Sequence, residues 1–371
     1  MKTSRIGIDC RLAGSRHAGI GRYVKNLVQE LAATQTEGIT WIVFFSDRAQ
    51  QQEVLPKPPA HWEVVFAPIR HYSLQEQLKM PAIFAAAKLD LLHVPHFNVP
   101  LAYRGKLVVT IHDLLWHEQR GSAVTTLSPL MYWLKYAFYH LIVRHAVTTA
   151  TTIFVPAETI KSTVARYYPL IRNKILVTYE GIDATFVPAK QIPKKSNDQE
   201  YSLIYTGSLY PHKNITVVLQ LLQQQPNVTL TIIGSRSVFR DQVEQQCREM
   251  AILDQVRFAG YVPDEKLAAL YQTADALVQP SLSEGFGLTG LEALATGLPA
   301  IVSDIPIFHE IYQDCALYFK PHDPLSVYEA LQQAVKQRSS LISKAHTLLG
   351  RYSWREMTQT VLTTYQNILR P

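Results

Sequence analysis

Short runs of β-branched and aromatic residues alternate along the chain with stretches whose apolar residues return every three or four positions. Ile6, Ile8 and Cys10 alternate as a strand, and Tyr23, Val24, Leu27 and Leu31 then mark one face of a helix. Further strands are predicted over residues 41–45, 64–67, 91–94, 107–111 and 152–155, with a long helix over 128–146 between the last two. The second half predicts strands over 202–206, 228–233, 256–259, 276–279 and 300–303. Its helices are expected over 214–224, 240–251, 264–273, 288–296 and 326–338, with a last one over 354–369. Such alternation predicts parallel sheets covered by helices. Residues 188–200, polar and holding Pro188 and Pro193, read as a linker. The expected fold class is α/β: two doubly wound, Rossmann-like parallel-sheet domains facing a cleft. Ligands in such sheets bind beyond the carboxyl ends of the strands.

Composition narrows the class. With 47% hydrophobic and 18% charged residues in 371, the chain is not disordered. Cys10, Cys247 and Cys315 form no C-x-x-C pair, which excludes a disulfide scaffold and a thiolate zinc site and suits a reducing compartment. The net charge is +7 through Asp183 and −1 beyond it, so the first half is expected to face something anionic, a phosphorylated substrate or a membrane surface. No Lys/Arg run or binding motif points to nucleic acid. The longest charge-free window, 214–235, is broken by three glutamines and Pro226, so no membrane span is expected. A strand-like run at residues 5–11 leaves no room for a signal peptide, and a cytoplasmic location is the expectation.

Candidate chemistry concentrates in the segment from Pro280 to Pro299. Gly285 and Gly287 let a ligand approach the backbone, and the free amides of Gly287, Leu288 and Thr289 suit a phosphate at a helix start. Glu284 precedes this turn and Glu292 lies inside the helix, two carboxylates suited to sugar hydroxyls. Lys213 enters another helix after a strand, where a cation opposes the helix dipole unless it serves a ligand. Gly19-Ile-Gly21 also follows a strand and opens a helix, but it lacks the third glycine of a dinucleotide fingerprint. His112 ends a strand beside Asp113, which could hold its tautomer or cap the next turn. His93, His96 and His117 have no Cys or helically spaced carboxylates beside them, so zinc is not expected, and the segment from His93 to Asn98 is assigned to the acceptor side.

The Glu284-x7-Glu292 pair, in its setting Ser-Glu-Gly-Phe-Gly…Glu-Ala…Gly-Leu-Pro, resembles the signature of GT4-type retaining glycosyltransferases of the GT-B fold, and the likeness covers nearly the whole chain. His17-Ala-Gly-Ile-Gly-Arg-Tyr23 is similar to that family's first glycine loop, as found in bacterial mannosyltransferase-like members. Thr110-Ile-His-Asp113 is similar to its active-site His-Asp, and the segment from Gly207 to Asn214 to its phosphate-binding lysine loop. The resemblance implies an acceptor-binding domain over 1–185, joined by a returning helix over 354–371, and a nucleotide-sugar-binding domain over 186–353. It implies His112, Lys213 and Glu284 as catalytic residues. It places Gly19, Gly21, Ser208, Arg236, Gly285, Phe286, Gly287, Leu288, Thr289 and Glu292 around the donor. One departure stands out: many relatives carry arginine where this chain has Ser208, leaving Arg236 or His212 to share the diphosphate charge.

The implied reaction moves a hexose from a GDP-mannose- or UDP-sugar-type donor to a saccharide or lipid-linked acceptor, with a peripheral contact at the inner membrane face through the basic half. No Asp-x-Asp motif occurs, so no metal is expected on the diphosphate. The alternatives are a nucleotide-sugar epimerase, a non-catalytic GT-B-like protein that binds nucleotide-sugars, and, disfavoured by the missing glycine, a Rossmann oxidoreductase.

Overall fold

A computed structural model describes residues 3–118, 129–186, 200–234 and 239–370. The chain forms two compact units, Met1–Gly181 with Ser353–Pro371, and Ile182–Tyr352.

The first unit holds a seven-stranded sheet of β1 (Ser4–Asp9), β2 (Ile39–Phe45), β3 (Trp62–Phe66), β4 (Leu91–Val94), β5 (Leu107–Thr110), β6 (Thr152–Val155) and β7 (Ile175–Val177), ordered β3-β2-β1-β4-β5-β6-β7. Every pairing is parallel. The central strands β4 and β5 are buried along their whole length, as mainly apolar strands covered by helices on both faces are, and their two polar side chains, His93 and Thr110, bond each other at 2.9 Å. Helix Ala18–Ala33 buries Val24, Leu27, Val28 and Leu31, the apolar stripe of its sequence. Helix Trp354–Leu369 belongs to this unit and brings the fully buried Tyr365 hydroxyl to His93 Nδ1 at 2.5 Å.

The second unit holds β8 (Tyr201–Thr206), β9 (Val228–Ile233), β10 (Val256–Gly260), β11 (Ala276–Gln279), β12 (Ala300–Ser303) and β13 (Leu317–Phe319), ordered β10-β9-β8-β11-β12-β13 and again all parallel. In both sheets the strand order reverses beside the first strand, between β1 and β4 and between β8 and β11. Loops that leave such neighbouring strand ends on opposite courses open the crevice where doubly wound folds bind ligands.

The edge strands β7 and β13, three residues each, and the helices Leu74–Ala86, Glu158–Tyr167 and Arg338–Leu349 were not among the sequence expectations. The helix expected over 240–251 ends at Glu249, because Ala251 takes a left-handed φ of +56°. That expected over 326–338 runs Pro324–Lys336, started by the Asp323 carboxylate, which accepts from the amides of Leu325 and Ser326. The linker residues 188–199 lie outside the described residues.

Candidate active site

In the second unit the loop after β8 and the loop after β11 meet. A short helical turn, Pro211–Lys213, ends at Asn214, whose φ of +53° is one that asparagine tolerates. The Asn214 side-chain Nδ2 donates to the Pro321 carbonyl at 2.7 Å and fixes the turn. Lys213 Nζ then reaches Glu284 Oε1 at 2.6 Å, across 71 residues of sequence. The same oxygen accepts from Ser281 Oγ at 2.8 Å and Gln279 Nε2 at 3.5 Å, and the backbones join where the Leu282 amide donates to the His212 carbonyl at 2.8 Å. Burial disfavours the charged form of Glu284, but Lys213, Ser281 and His212 together outweigh it and hold the carboxyl below its ordinary range.

Helix Leu288–Ala295 starts just beyond, and no side chain caps its N-terminus. Its first amides therefore point out of the helix with no intrahelical acceptor, a site suited to phosphate oxygens. Gly287, at φ +110°, makes the turn into it. The turn is held from behind by Tyr312, which sequence reasoning missed. Its hydroxyl donates to the Gly287 carbonyl and stands 2.6 Å from Gln279 Oε1. A Cβ on Gly290 would lie 2.4 Å from that hydroxyl. A mid-helix glycine, which costs about 1 kcal/mol against alanine, was the one sequence signal that something packs there. The Phe286 ring is buried edge-on against Tyr352 and anchors the loop. Glu292 is buried within the helix.

In the first unit His112 follows β5 and is buried. The adjacent Asp113 is not its partner: its carboxylate accepts from the Leu115 amide at 3.1 Å and caps the next turn. The carboxylate that meets His112 is Glu180, 3.3 Å from Nδ1 and itself buried, while Nε2 faces the Pro95 carbonyl at 3.3 Å and the Tyr23 ring stands edge-on at 4.8 Å. His93, assigned from the sequence to the acceptor side, lies in the interior of the first unit. It is wholly buried, bonded to Tyr365 and, through Nε2 at 2.9 Å, to Thr110. His117 is 2.8 Å from the Tyr139 hydroxyl and 2.9 Å from that of Tyr168. Among the described residues no group of three or more His, Cys, Asp and Glu side chains could hold a metal ion.

Two family models match the chain, "Glycosyltransferase Family 4" over residues 17–186 and "Glycosyl transferases group 1" over residues 188–348. This chain belongs to the group 1, family 4 glycosyltransferases. It is 26% identical to the O-antigen chain mannosyltransferase RfbU of Salmonella typhimurium over 79% of this chain and 78% of that one. To O-antigen chain mannosyltransferase B of Escherichia coli it is 26% identical over 94% and 96%. The fold matches sucrose-phosphate synthase from Thermosynechococcus elongatus with a TM-score of 0.79, at 18% identity over 98% and 99% of the two chains.

The glycosyltransferase places its remaining sequence candidates unevenly. Ser208 has its carbonyl bonded by the Tyr205 hydroxyl. Arg236 lies outside the described residues. In the first glycine loop, a Cβ on Gly21 would sit 2.0 Å from the Gly14 carbonyl, so that glycine is explained by chain packing, whereas Gly19 faces open space. Among the described residues no helix is long and apolar enough to cross a membrane.

Proposed function

We propose that this glycosyltransferase transfers a hexose from a nucleotide-sugar to a glycan or lipid-linked saccharide, with retention at the anomeric carbon and without a metal ion. The observation that carries the reading is the Lys213–Glu284 pair beside the uncapped start of helix Leu288–Ala295 at the strand-order reversal. Lysine and helix amides supply positive charge for a departing diphosphate, and Glu284 supplies an acceptor for hexose hydroxyls. Glu292 is assigned to the ribose and the His112–Glu180 pair to the acceptor side. Likeness to two O-antigen mannosyltransferases favours mannose as the hexose. Incubation with UDP-, GDP-, ADP- and TDP-sugars, followed by nucleoside diphosphate release with and without EDTA, tests this. Release that collapses in EDTA and returns with Mn²⁺ refutes the metal-free account, and no release with any donor refutes the whole.

A peripheral membrane contact fits one further observation. Helix Pro129–Thr149 leaves Leu130, Trp133, Leu134, Phe138 and Leu141 exposed in the unit that carries the excess positive charge. Sedimentation with anionic and with neutral vesicles tests it, and binding to neither refutes it. Such a contact would place the enzyme at the cytoplasmic face.

A further inference from the structure

At the carboxyl ends of β1 and β4 a buried ionic network holds a turn that the catalytic account does not use. Arg11 Nη2 donates to Asp9 at 2.6 Å and to Glu76 at 2.8 Å, all three side chains being at most 2% exposed. Glu76 Oε1 also accepts from Asn98 Nδ2 at 2.8 Å, and Oε2 accepts from the Tyr72 amide at 2.9 Å. Asn98 Nδ2 stands 3.0 Å from His71 Nδ1.

The turn so held is a costly one. Tyr72 has a φ of +56°, a region that a ring-bearing side chain rarely enters, yet the residue as a whole is 59% exposed. Its hydroxyl lies 3.4 Å from His96 Nδ1, and the His96 ring is nearly parallel to that of His112 at 6.4 Å. Two buried polar atoms in the same cluster, His71 Nε2 and Asn98 Oδ1, have no hydrogen-bond partner. The ring of His17, at the head of the first glycine loop, stands edge-on to His71 at 6.0 Å.

A tyrosine at the surface beside a donor-or-acceptor nitrogen and a carbonyl oxygen, both without partners, matches a pyranose: its C–H face covers an aromatic ring, and a hydroxyl can both accept and donate. The network carries two carboxylates against one guanidinium, which favours neutral hydroxyls over a phosphate. We propose that Tyr72, His71 and Asn98 form the subsite for the acceptor's sugar ring, Tyr72 as its platform and the other two as its hydroxyl partners. This rests on the reading of the first unit as the acceptor-binding unit.

The test titrates the full-length protein with methyl α-pyranosides of mannose, glucose and galactose, read by saturation-transfer difference NMR. Wild type is compared with Tyr72→Phe, Tyr72→Asn and His71→Ala. Asparagine accepts a left-handed φ, so Tyr72→Asn removes the ring while relieving the backbone, and its thermal midpoint is expected to hold or rise. At least one glycoside is expected to bind wild type. Tyr72→Phe should stay within about threefold of it, and Tyr72→Asn and His71→Ala should lose about tenfold. Acceptor-free nucleotide release from the donor should not change in any variant. No binding of any glycoside to wild type, or wild-type binding by both Tyr72→Asn and His71→Ala, overturns the subsite. Absence of nucleotide release from wild type overturns the glycosyl-transfer reading instead, whatever the glycosides do.

Discussion

Replacing Glu284 with Gln tests whether Lys213 is the ligand of the leaving diphosphate. Lys213 is bound to Glu284 at 2.6 Å, so a diphosphate claims it only by loosening that pair. Unit charges about 4 Å apart attract by about 4 kcal/mol at an effective dielectric of about 20, and a fully exposed pair nets at most about 1 kcal/mol. With side chains 19% and 14% exposed, this pair falls between those limits, at about 2 kcal/mol, a factor of about 30. The glutamine amide still accepts a hydrogen bond from Lys213, so a gain of about tenfold in nucleoside diphosphate affinity is expected. Turnover should fall, since the carboxylate for the hexose is gone. Calorimetry with UDP and GDP on wild type, Glu284→Gln, Lys213→Met and the double variant reads it. The double variant should bind like Lys213→Met, because there is no ammonium left to release. If Glu284→Gln binds no more tightly than wild type, Lys213 is not the diphosphate ligand. If the gain persists in the double variant, it came only from removing a negative charge.

Burial, aided by His112, pushes the pKa of His93 from 6.5 down to about 3. Below pH 6.5 the unfolded chain therefore takes up a proton that the folded one refuses. Stability present above 6.5 is lost as pH falls toward 3, by about 2 kcal/mol between pH 6.5 and 5 from this group alone; urea unfolding at the two values that shows no loss would contradict the buried neutral imidazole. Gly290→Ala places a Cβ 2.4 Å from the Tyr312 hydroxyl and 2.5 Å from its ring carbon. It should cost about 1–3 kcal/mol in denaturant unfolding, only partly recovered by adding Tyr312→Phe, and a neutral result would mean that this packing is not tight.

Legibility in the sequence followed physical strength. The central strands are largely apolar because helices cover both faces, and that bias is plain from residues 91–94, 107–111, 276–279 and 300–303, each with a single polar residue. The edge strands Ile175–Val177 and Leu317–Phe319 bury too few residues to leave a pattern. Lys213 and Glu284 were each legible from local context, but their pairing depends on β8 and β11 lying side by side, which no local pattern encodes. The same limit made Asp113 the nearest carboxylate to His112 in sequence while Glu180 holds that place in space. Tyr72 leaves no trace at all, because its amide is bonded by Glu76, four residues on, and Glu76 is itself held by Arg11 from a distant part of the chain.

The bond between His93 and Tyr365 spans 272 residues, and this has a consequence for how the protein is made. The second unit is one continuous stretch, whereas the first is completed only by the final helix. At about 5–20 residues per second on the ribosome, Tyr365 emerges roughly 15–55 s after His93. Throughout that interval the nascent first sheet carries an imidazole with its Nδ1 side open and a helix face without its cover, while the later-encoded unit has everything it needs to fold. Synthesis order and folding order are thus reversed: the half made first is the half finished last.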